Sequence, residues 1–307
     1  MKNSKIAFLT TVFPNSESFL LDFLNSLNNQ TFKNFDLIVI NDGIYSFFEY
    51  IKNFPKLNFI EIKSNNTPAK NREIGINRVI ELGYKFIIFG DSDDMFSENR
   101  IEKIIEAFEY NDIVINELTI FDNKKFIKNF ISENTVSHIK PLNYILDSNI
   151  MGFSNIAINT KLINKPIKFE NKIIAVDWYF STILSITKPR IKFLKNVNTY
   201  YRQHNNNIIG MSLLLNDEKL NLGIRVKKNH YKALMKYFKK NRFNNLGNIY
   251  AKKYLEIIKL ENELQSINFK KNYIKIVNKN IRHIYSGWWS QIINLEKFYT
   301  YEKNSNK

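Results

Sequence analysis

The chain has 307 residues, of which 44% are hydrophobic, and contains no cysteine, so it can bury a sizeable core but excludes disulfides, Cys-ligated zinc and thiol nucleophiles. Its net charge of +16 is concentrated in residues 217–307, where 20 Lys and Arg face 7 Asp and Glu. No run of about eighteen apolar residues is present, so we expect no membrane span. The lack of cysteine favours a reducing, cytoplasmic setting.

Strand and helix patterns alternate along the first third of the chain. β-branched and aromatic runs predict strands, and apolar residues at helical spacing predict helices. The predicted strands are Ile6–Phe13, Asp36–Ile40, Asn58–Ile62 and Phe86–Phe89, and the predicted helices are Phe19–Leu27, Ala69–Leu82 and Arg100–Glu109. This alternation favours an α/β fold with a mainly parallel sheet covered by helices. The absence of Gly-x-Gly-x-x-Gly and of a Walker loop disfavours dinucleotide and P-loop chemistry.

Three carboxylates, Asp91, Asp93 and Asp94, follow the strand Phe86–Phe89 directly. Open α/β sheets bind their ligands at the carboxyl ends of the strands. Carboxylates this close repel one another unless a cation neutralises them, and their hard oxygen atoms suit Mg²⁺ or Mn²⁺. The alternative interpretation is a helix N-terminus, because Asp is common before and within the first turn of a helix such as Arg100–Glu109.

The middle of the chain adds further strands and one isolated acid, Asp177, at the start of a helix. Alternating apolar and polar residues in Asp112–Phe121 predict a strand at the edge of the sheet. A loop or hairpin is predicted at Lys124–Asn134, and strands are predicted at Gly152–Ile158 and Arg190–Tyr201. From Ser212 onward the pattern is helical and rich in lysine, which predicts a main domain over residues 1–211 and a basic helical region over 212–307.

Taken in order, these segments resemble the GT-A fold, family 2 glycosyltransferases that elongate bacterial surface polysaccharides. The matching stretches are Phe8–Val12, Ser26–Gly43 with its Asn-Asp-Gly end, the helix start at Arg72, Asp91-Ser92-Asp93-Asp94, Asp177, and Tyr201-Arg202-Gln203-His204. The resemblance covers roughly Lys5–Gly210. It implies a GT-A type mixed, mainly parallel sheet flanked by helices, with the C-terminal helices as an appendage.

The resemblance also implies a nucleotide-sugar donor, linked to UDP or dTDP. By this resemblance Thr11 would contact the base or ribose, and Asp42 would accept a hydrogen bond from the base, whereas an ordinary turn residue is the competing interpretation of Asp42. Buried acceptors that pair with base N–H groups discriminate well between bases. Lys70 and Arg72 would compensate the diphosphate or hold the base-binding aspartate, whereas a solvated helix face is the competing interpretation. Glu73 departs from the family pattern, which has asparagine at this position.

For the reaction, the resemblance assigns Asp91 to the ribose and Asp93 to a divalent metal, Mn²⁺ or Mg²⁺, that bridges the diphosphate. It assigns Asp177 to the general base of an inverting transfer, which takes the proton of the acceptor hydroxyl. Asp94 has no assigned role.

Four further residues complete the implied site. Asn155 and Trp178 would contact a glycan or lipid-linked acceptor, with Trp178 stacking on a sugar unless it is a core residue. Arg202 and His204 would reach the diphosphate or metal, although Arg202 could instead form an ordinary ion pair and a lone histidine is more often structural.

The basic C-terminal region leaves three interpretations open. Its amphipathic helices could pack on the main domain or on a second subunit, which would give a homodimer. Trp288, Trp289 and Tyr299 lie among isoleucines and cations, as in helices that dock peripherally on a membrane surface. Nucleic-acid binding is disfavoured, because the sequence contains no recognition motif.

Two other classes of function remain as alternatives. A nucleotidyltransferase also uses carboxylates and Mg²⁺ on an α/β sheet, but Thr10–Ser16 lacks the glycines expected of its phosphate loop. A catalytically silent binding module could carry the same fold, although the joint presence of Asp91, Asp93 and Asp177 argues against it.

Overall fold

The computed structural model of the chain describes residues 5–122, 126–132, 145–203, 214–280 and 288–305. These residues form two compact units. The N-terminal unit holds the described residues up to 203, except for 147–149 and 172–175. Those two short segments belong to the C-terminal unit, together with the described residues from 214 onward. The boundary predicted after residue 211 lies outside the described residues, and the sequence pattern does not reveal the two short segments.

The N-terminal unit is built on a mixed sheet. Its strands are β1 (Ile6–Val12), β2 (Asp36–Asn41), β3 (Asn58–Lys63), β4 (Phe86–Phe89), β5 (Met95–Phe96), β6 (Ile113–Phe121), β7 (Phe126–Ile131), β8 (Ile156–Asn159) and β9 (Ile191–Arg202). Their order is β3-β2-β1-β4-β8-β6-β9-β5, with β7 paired to β6. The ladders joining β3, β2, β1 and β4 are parallel, and β8 runs antiparallel to both of its neighbours.

Helices connect these strands and form the C-terminal unit. Those of the N-terminal unit are α1 (Leu20–Asn28), α2 (Phe48–Ile51), α3 (Pro68–Glu81), α4 (Arg100–Ala107) and α5 (Val176–Leu184). Those of the C-terminal unit are α6 (Asp217–Lys240), α7 (Asn244–Glu263), α8 (Ile267–Asn280) and α9 (Leu295–Ser305). Short 3-10 turns occur at Pro14–Phe19, Thr160–Leu162, Ser185–Thr187 and Trp288–Gln291.

The sheet is covered on both faces. Successive side chains of a strand point to opposite faces, so Phe8 and Leu9 of β1 mark the two sides. Phe8 joins a core cluster with Phe23 and Leu27 of α1. Leu9 instead approaches α3, where a Cβ atom at Gly75 would lie only 2.8 Å from it. Because both faces are covered, all seven residues of β1 are buried, including the polar Thr10 and Thr11.

The strand order places a ligand crevice at the ends of β1 and β4. From β1 the chain runs outward through β2 and β3, and then returns to the other side of β1 as β4. Open sheets bind ligands where this reversal separates two neighbouring loops. Asp42 follows β2 and Asp91 follows β4, so both acids lie on the loop side of this reversal.

One expectation about an individual element needs correction, and two alternatives are settled. Asp112–Phe121 is not an edge strand, because β6 pairs with β8 and β9 as well as with β7. Its alternation reflects uneven packing along a long strand rather than an exposed edge. Lys124–Asn134 contains β7, so the hairpin alternative is right for its described part. The acids after β4 do not cap the next helix, since α4 begins after β5 and has Asn99 at its N-cap.

In the C-terminal unit, the described helices bury much of their predicted apolar faces. Tyr250 is 1% exposed and Tyr273 is fully buried, so the apolar faces of α7 and α8 pack inside the unit. Trp289 is also buried, which removes it from the set of residues that could anchor the chain in a membrane interface. The side chain of Trp288 lies outside the described residues. No described helix combines the length and the apolar character needed to cross a lipid bilayer.

Candidate active site

The carboxylate loop Asp91–Asp94 starts at the end of β4, directly after Gly90. A Cβ atom at Gly90 would lie 2.4 Å from a ring carbon of Phe8 and 2.6 Å from a ring carbon of Phe96. Any larger residue would therefore displace two core rings. The glycine allows the chain to leave the core at once and brings the acids close to the end of the strand.

Asp94 attaches the carboxylate loop to the protein core through hydrogen bonds. Its side chain is fully buried, and its carboxylate accepts hydrogen bonds from the Ser154 hydroxyl and, at 2.8 Å, from the Arg202 backbone N–H. Burial raises the pKa of Asp94 well above its ordinary value, and the negative charges of Asp93 and Asp91 raise it further. No role could be predicted for this acid from the sequence. In the structure it joins the carboxylate loop to β9 and to the segment before β8.

Asp91 is paired with Arg72 from the first turn of α3. Burial raises the pKa of Asp91 and the charge of Asp93 adds to this, although Arg72 opposes both. The guanidinium also lies 4.9 Å from the centre of the Phe153 ring. Its second amino nitrogen, Nη1, is buried and has no acceptor among the described residues. Arg72 thus contacts the carboxylate loop and keeps one N–H group, at Nη1, without an acceptor among the described residues.

Lys70 and Glu73 form an ion pair one helical turn apart on α3. Glu73 is buried, and its other carboxylate oxygen accepts a 2.7 Å hydrogen bond from the Phe169 backbone N–H. This contact explains the departure from the family's asparagine, because a carboxylate can serve both the lysine and the backbone donor. The Lys70 side chain remains 41% exposed.

Arg202 is used by the protein itself, in line with the ion-pair alternative. Its guanidinium donates to the Asp93 carbonyl at 2.9 Å and to the Asp22 carboxylate at 2.7 Å. It is sandwiched between the rings of Phe19 and Phe121, at 4.7 and 4.6 Å from their centres. These contacts position the backbone of the carboxylate loop, so Arg202 is better described as a positioning residue than as a donor ligand.

Thr11 and Asp42 lie at the ends of β1 and β2. The Thr11 carbonyl accepts from the Ser92 hydroxyl at 2.8 Å, which attaches the carboxylate loop to β1. Thr11 Oγ1 is buried and lacks a partner within the described part of the chain. The backbone N–H of Asp42 donates to the Val12 carbonyl at 2.8 Å, and its carboxylate accepts from the Asn66 N–H at 3.3 Å. Both residues predicted to contact the nucleoside therefore lie at the carboxyl ends of adjacent strands.

Asp177 begins α5 and is partly exposed. Its Oδ1 atom accepts from the Trp178 N–H at 2.8 Å. Its Oδ2 atom lies 3.6 Å from the point where a side chain at Gly152 would start, and Asn155 Oδ1 lies 3.4 Å from the same point. The missing side chain of Gly152 thus leaves space beside the carboxylate of Asp177.

The two predicted acceptor residues are both buried. Trp178 is fully buried, and its indole N–H donates to the Ile145 carbonyl at 2.7 Å. It offers no free face to a sugar, so the core alternative is correct for this residue. Asn155 is also fully buried, and its amide nitrogen donates to the Ile150 carbonyl at 3.1 Å and the Asn116 carbonyl at 3.4 Å. Asn155 lies beside Asp177, and its Oδ1 atom is buried and has no hydrogen-bond partner among the described residues.

Tyr201 lies close enough to the carboxylate loop to feel its charge, although in the sequence it stands out only as part of the Tyr201–His204 motif. Burial raises the pKa of its hydroxyl well above the ordinary value. Further increases come from the negative charges of Asp94, Asp93, Asp91 and Asp177. One tyrosine therefore lies in the field of the carboxylate loop and of Asp177 together. Its hydroxyl stays protonated at neutral pH and can donate a hydrogen bond.

Arg100 of α4 lies buried behind the carboxylate loop and contacts the strands and the segment around it. In the sequence it is recognisable only as a helix residue. It is fully buried and donates to Asn116 Oδ1 and the Phe89 carbonyl, both at 2.9 Å, and to the Ser154 carbonyl at 3.1 Å. Its guanidinium also lies 4.5 Å from the centre of the Phe96 ring. Burial lowers the pKa of Arg100 to about 9 despite the nearby acids. No local sequence signal distinguishes this arginine from a solvated one.

The donor atoms at the loop fit a metal that is shared with a ligand. Within the described ranges, no three His, Asp or Glu side chains gather into a metal site, and His204 lies outside those ranges. Asp91 and Asp94 accept hydrogen bonds from protein donors, and Asp93 lies between them, partly exposed. Mg²⁺ is commonly held by one or two carboxylates together with phosphate oxygens and water. Asp93 can supply such a carboxylate, with the remaining ligands coming from a diphosphate.

Comparison with known proteins gives a family for this arrangement. The sequence model described as glycosyl transferase family 2 matches residues 10–163, half of the chain. An uncharacterized glycosyltransferase of Rickettsia bellii is 27% identical over 148 residues, which are 46% of this chain and 21% of that protein. The teichoic acid poly(glycerol phosphate) polymerase of Staphylococcus epidermidis is 25% identical over 216 residues, 66% of this chain and 28% of that protein. The chain thus spans less than a third of the length of these curated relatives.

The fold has solved counterparts. Residues 1–349 of S. aureus TarS, in complex with UDP-GlcNAc, match with a TM-score of 0.56 at 15% identity, over 98% of this chain and 91% of that one. Identity this low establishes a common fold and nothing finer. The structural match confirms the predicted GT-A type mixed sheet with C-terminal helices.

Proposed function

Since this chain belongs to glycosyltransferase family 2, we propose that it transfers a sugar from a UDP- or dTDP-linked donor to a hydroxyl group of a surface glycan or lipid-linked acceptor, with inversion. The observation that supports the proposal is that one short segment contacts both groups of acids: the Ser154 hydroxyl donates to Asp94 of the carboxylate loop, and the side-chain position of Gly152 lies 3.6 Å from Asp177 Oδ2. In this proposal, a loop suited to a metal-bound diphosphate and an acid suited to deprotonate an acceptor face the same space.

The nucleoside would be held at the ends of β1 and β2. Asp42 accepts from a base N–H group, and the unpaired Thr11 hydroxyl can bond to the base or ribose. Asp91, which Arg72 orients, accepts from a ribose hydroxyl. A base without the matching N–H would leave a buried acceptor unpaired, which gives the site its selectivity.

The diphosphate would lie between Arg72 and Asp93. Arg72 is already fixed by Asp91 and by the Phe153 ring, so its spare Nη1 donor can meet a phosphate oxygen with little loss of entropy. Asp93 would hold a divalent metal, whose positive charge would stabilise the departing diphosphate. Lys70 is exposed and adds positive charge at the rim.

The transfer itself needs one base. Asp177 accepts the proton of the acceptor hydroxyl, whose oxygen forms a bond to the anomeric carbon on the face opposite the leaving group. The bond between that carbon and the diphosphate oxygen breaks, and the nucleoside diphosphate leaves with the electron pair. The Trp178 N–H holds Oδ1 of Asp177 at 2.8 Å, which keeps the carboxylate oriented during the proton transfer.

The charge distribution favours an anionic acceptor. The last 91 residues carry 20 basic and 7 acidic side chains. A surface of this sign attracts polyanions and increases their rate of encounter. The similarity to a polymerase named for poly(glycerol phosphate) agrees with an acceptor that carries phosphate groups.

A thermal-shift panel of nucleoside diphosphates, with and without Mn²⁺, tests the donor site. Selective stabilisation by UDP or dTDP that requires Mn²⁺ is expected, because a ligand that binds only the folded state stabilises it. Replacing Asp177 by Asn should leave this stabilisation intact while sugar transfer falls by about a hundredfold or more, the typical contribution of a general base. Asp217→Asn, in the C-terminal unit, is the matched control.

Activity assays on the same protein have outcomes that would contradict the proposal. Near-wild-type transfer by Asp177→Asn would exclude this acid as the base. Release of pyrophosphate from a nucleoside triphosphate would identify a nucleotidyltransferase. Binding of a nucleotide sugar without turnover, across a panel of donors and acceptors, would identify a silent binding module.

A further inference from the structure

A second candidate site lies wholly within the C-terminal unit. A pocket of about 140 Å³ is formed by α6, α7, Asp147 and the segment 290–297. Its charged lining consists of Lys227, Lys253, Lys297, Asp147 and Glu256. Lysines thus outnumber carboxylates on its walls, and none of these residues has a role in the transfer reaction proposed above.

Lys227 is the buried member of this set. The residue is 4% exposed, and its ammonium donates one hydrogen bond, at 2.7 Å, to the Ile292 carbonyl. The closest carboxylate oxygen, on Asp147, is 4.0 Å away, which is beyond hydrogen-bonding distance. An ammonium carries three N–H donors, so a carbonyl alone does not satisfy it.

Asp147 is occupied by other donors. Its two oxygens accept from Lys253 at 2.8 and 3.0 Å, and Oδ1 also accepts from the Tyr231 hydroxyl at 3.0 Å. Glu256 lies 4.0 Å from Lys253 and accepts a long hydrogen bond from Asn294. Neither carboxylate of the pocket therefore accepts a hydrogen bond from Lys227, although Asp147 lies 4.0 Å from its ammonium.

Lys297 adds a third cation at the mouth of the pocket. It is exposed, and no Asp or Glu lies within 4.0 Å of it in the described part of the chain. Burial lowers the pKa of Lys227 to about 8, and the charges of Lys253 and Lys297 act in the same direction, against Asp147 and Glu256. The walls thus leave positive charge uncompensated around a buried ammonium, which an anionic ligand would stabilise.

We propose that this pocket binds a phosphate group, with Lys227 at its base and Lys297 at its mouth. Phosphate suits the site because its oxygens accept hydrogen bonds from several directions, whereas the pocket is too small for an extended polyanion. The proposal is independent of the donor and acceptor assignments in the N-terminal unit, since binding is measured without transfer.

The test is calorimetric titration of the whole protein with inorganic phosphate. Replacing Lys297 by Gln should weaken binding by about tenfold, the loss expected for one hydrogen bond between charged groups. Lys303→Gln is the matched control, because it removes an exposed lysine from the same helix, outside the pocket. Lys227→Met should also weaken binding, and circular dichroism will show whether this buried variant folds.

Equal phosphate affinities for the Lys297 and Lys303 variants would overturn the proposal, whatever the behaviour of Lys227→Met. Two further probes distinguish the sources of the phosphate. If Lys297→Gln weakens binding to phosphatidylglycerol vesicles, but not to phosphatidylcholine vesicles, the natural ligand is a lipid headgroup. If it weakens binding to glycerol phosphate and leaves vesicle binding unchanged, the ligand is a soluble or polymeric phosphate ester.

Discussion

Replacing Gly152 by alanine would add one methyl group beside the carboxylate of Asp177. Gly152 does not have a positive φ angle, so its backbone accepts alanine. The new Cβ would lie 3.4 Å from Asn155 Oδ1 and 3.6 Å from Asp177 Oδ2, which are ordinary contact distances. We therefore expect the variant to fold normally and to gain about 0.4–1 kcal/mol, because alanine restricts the unfolded chain more than glycine does.

The effect on transfer should be much larger than the effect on stability. A hydroxyl bonded to Asp177 Oδ2 lies about 2.5–3.0 Å from it, whereas the methyl carbon would occupy a point 3.6 Å from the same oxygen. An acceptor that approaches from this side would overlap the methyl group and move by about 1 Å. A misplacement of this size costs about a hundredfold in rate.

The assay compares kcat and KM for sugar transfer with the rate of donor hydrolysis by water. Transfer should fall and KM for the acceptor should rise, while hydrolysis and donor binding change little, because water is small enough to use the remaining space. Gly247→Ala, in the C-terminal unit, makes the same chemical change away from the site. Transfer within about threefold of wild type, less than 1 kcal/mol in the barrier, would refute the placement of the acceptor beside Gly152.

Three further outcomes follow from the contacts of the described residues. Asp93→Ala should abolish the Mn²⁺-dependent stabilisation by nucleoside diphosphate, and full transfer in excess chelator would contradict a metal at this acid. Ser154→Ala removes a hydrogen-bond donor from buried Asp94 and should lower the free energy of unfolding by about 1–3 kcal/mol, or the thermal midpoint by several degrees. An unchanged midpoint would contradict a stabilising role for this hydrogen bond. Burial acts to raise the pKa of Asp112, but hydrogen bonds from Lys161 and Arg190 overcome it and lower the pKa to about 2. Because this pKa is depressed, the ionised acid stabilises the fold above about pH 4 and loses that effect as the pH falls through 2. In urea titrations, the difference in free energy of unfolding between the wild type and Asp112→Asn should therefore become smaller over this range.

The sequence by itself determined the fold class and the edge of the sheet that carries the site. Apolar runs of strand length and helices of the right spacing recur in a fixed order, and acids or turn residues follow the strands. Since parallel strands share one carboxyl edge, Asp42 and Asp91 had to lie on the same side once those strands were recognised. This inference needs only periodicity and chain order, both of which are local.

The sequence was less informative about exposure. Trp178 beside Asp177 looks like an acceptor platform, and Trp289 like a membrane anchor, yet both are buried. An aromatic residue has the same local pattern whether its ring packs in the core or faces solvent. Burial depends on which other elements cover it, so only the tertiary structure distinguishes the two.

Tertiary structure also decided which contacts each of the three acids after β4 makes. Asp94 accepts a hydrogen bond from Ser154, 60 positions away in the chain, and Asp91 accepts one from Arg72 of α3. Arg100, fully buried behind them, resembles any helix residue in the sequence. Hydrogen bonds between residues distant in sequence leave no local trace, because each partner is compatible with many surroundings. The fold brings these partners together, and their contacts distinguish the structural acid from those available to a ligand.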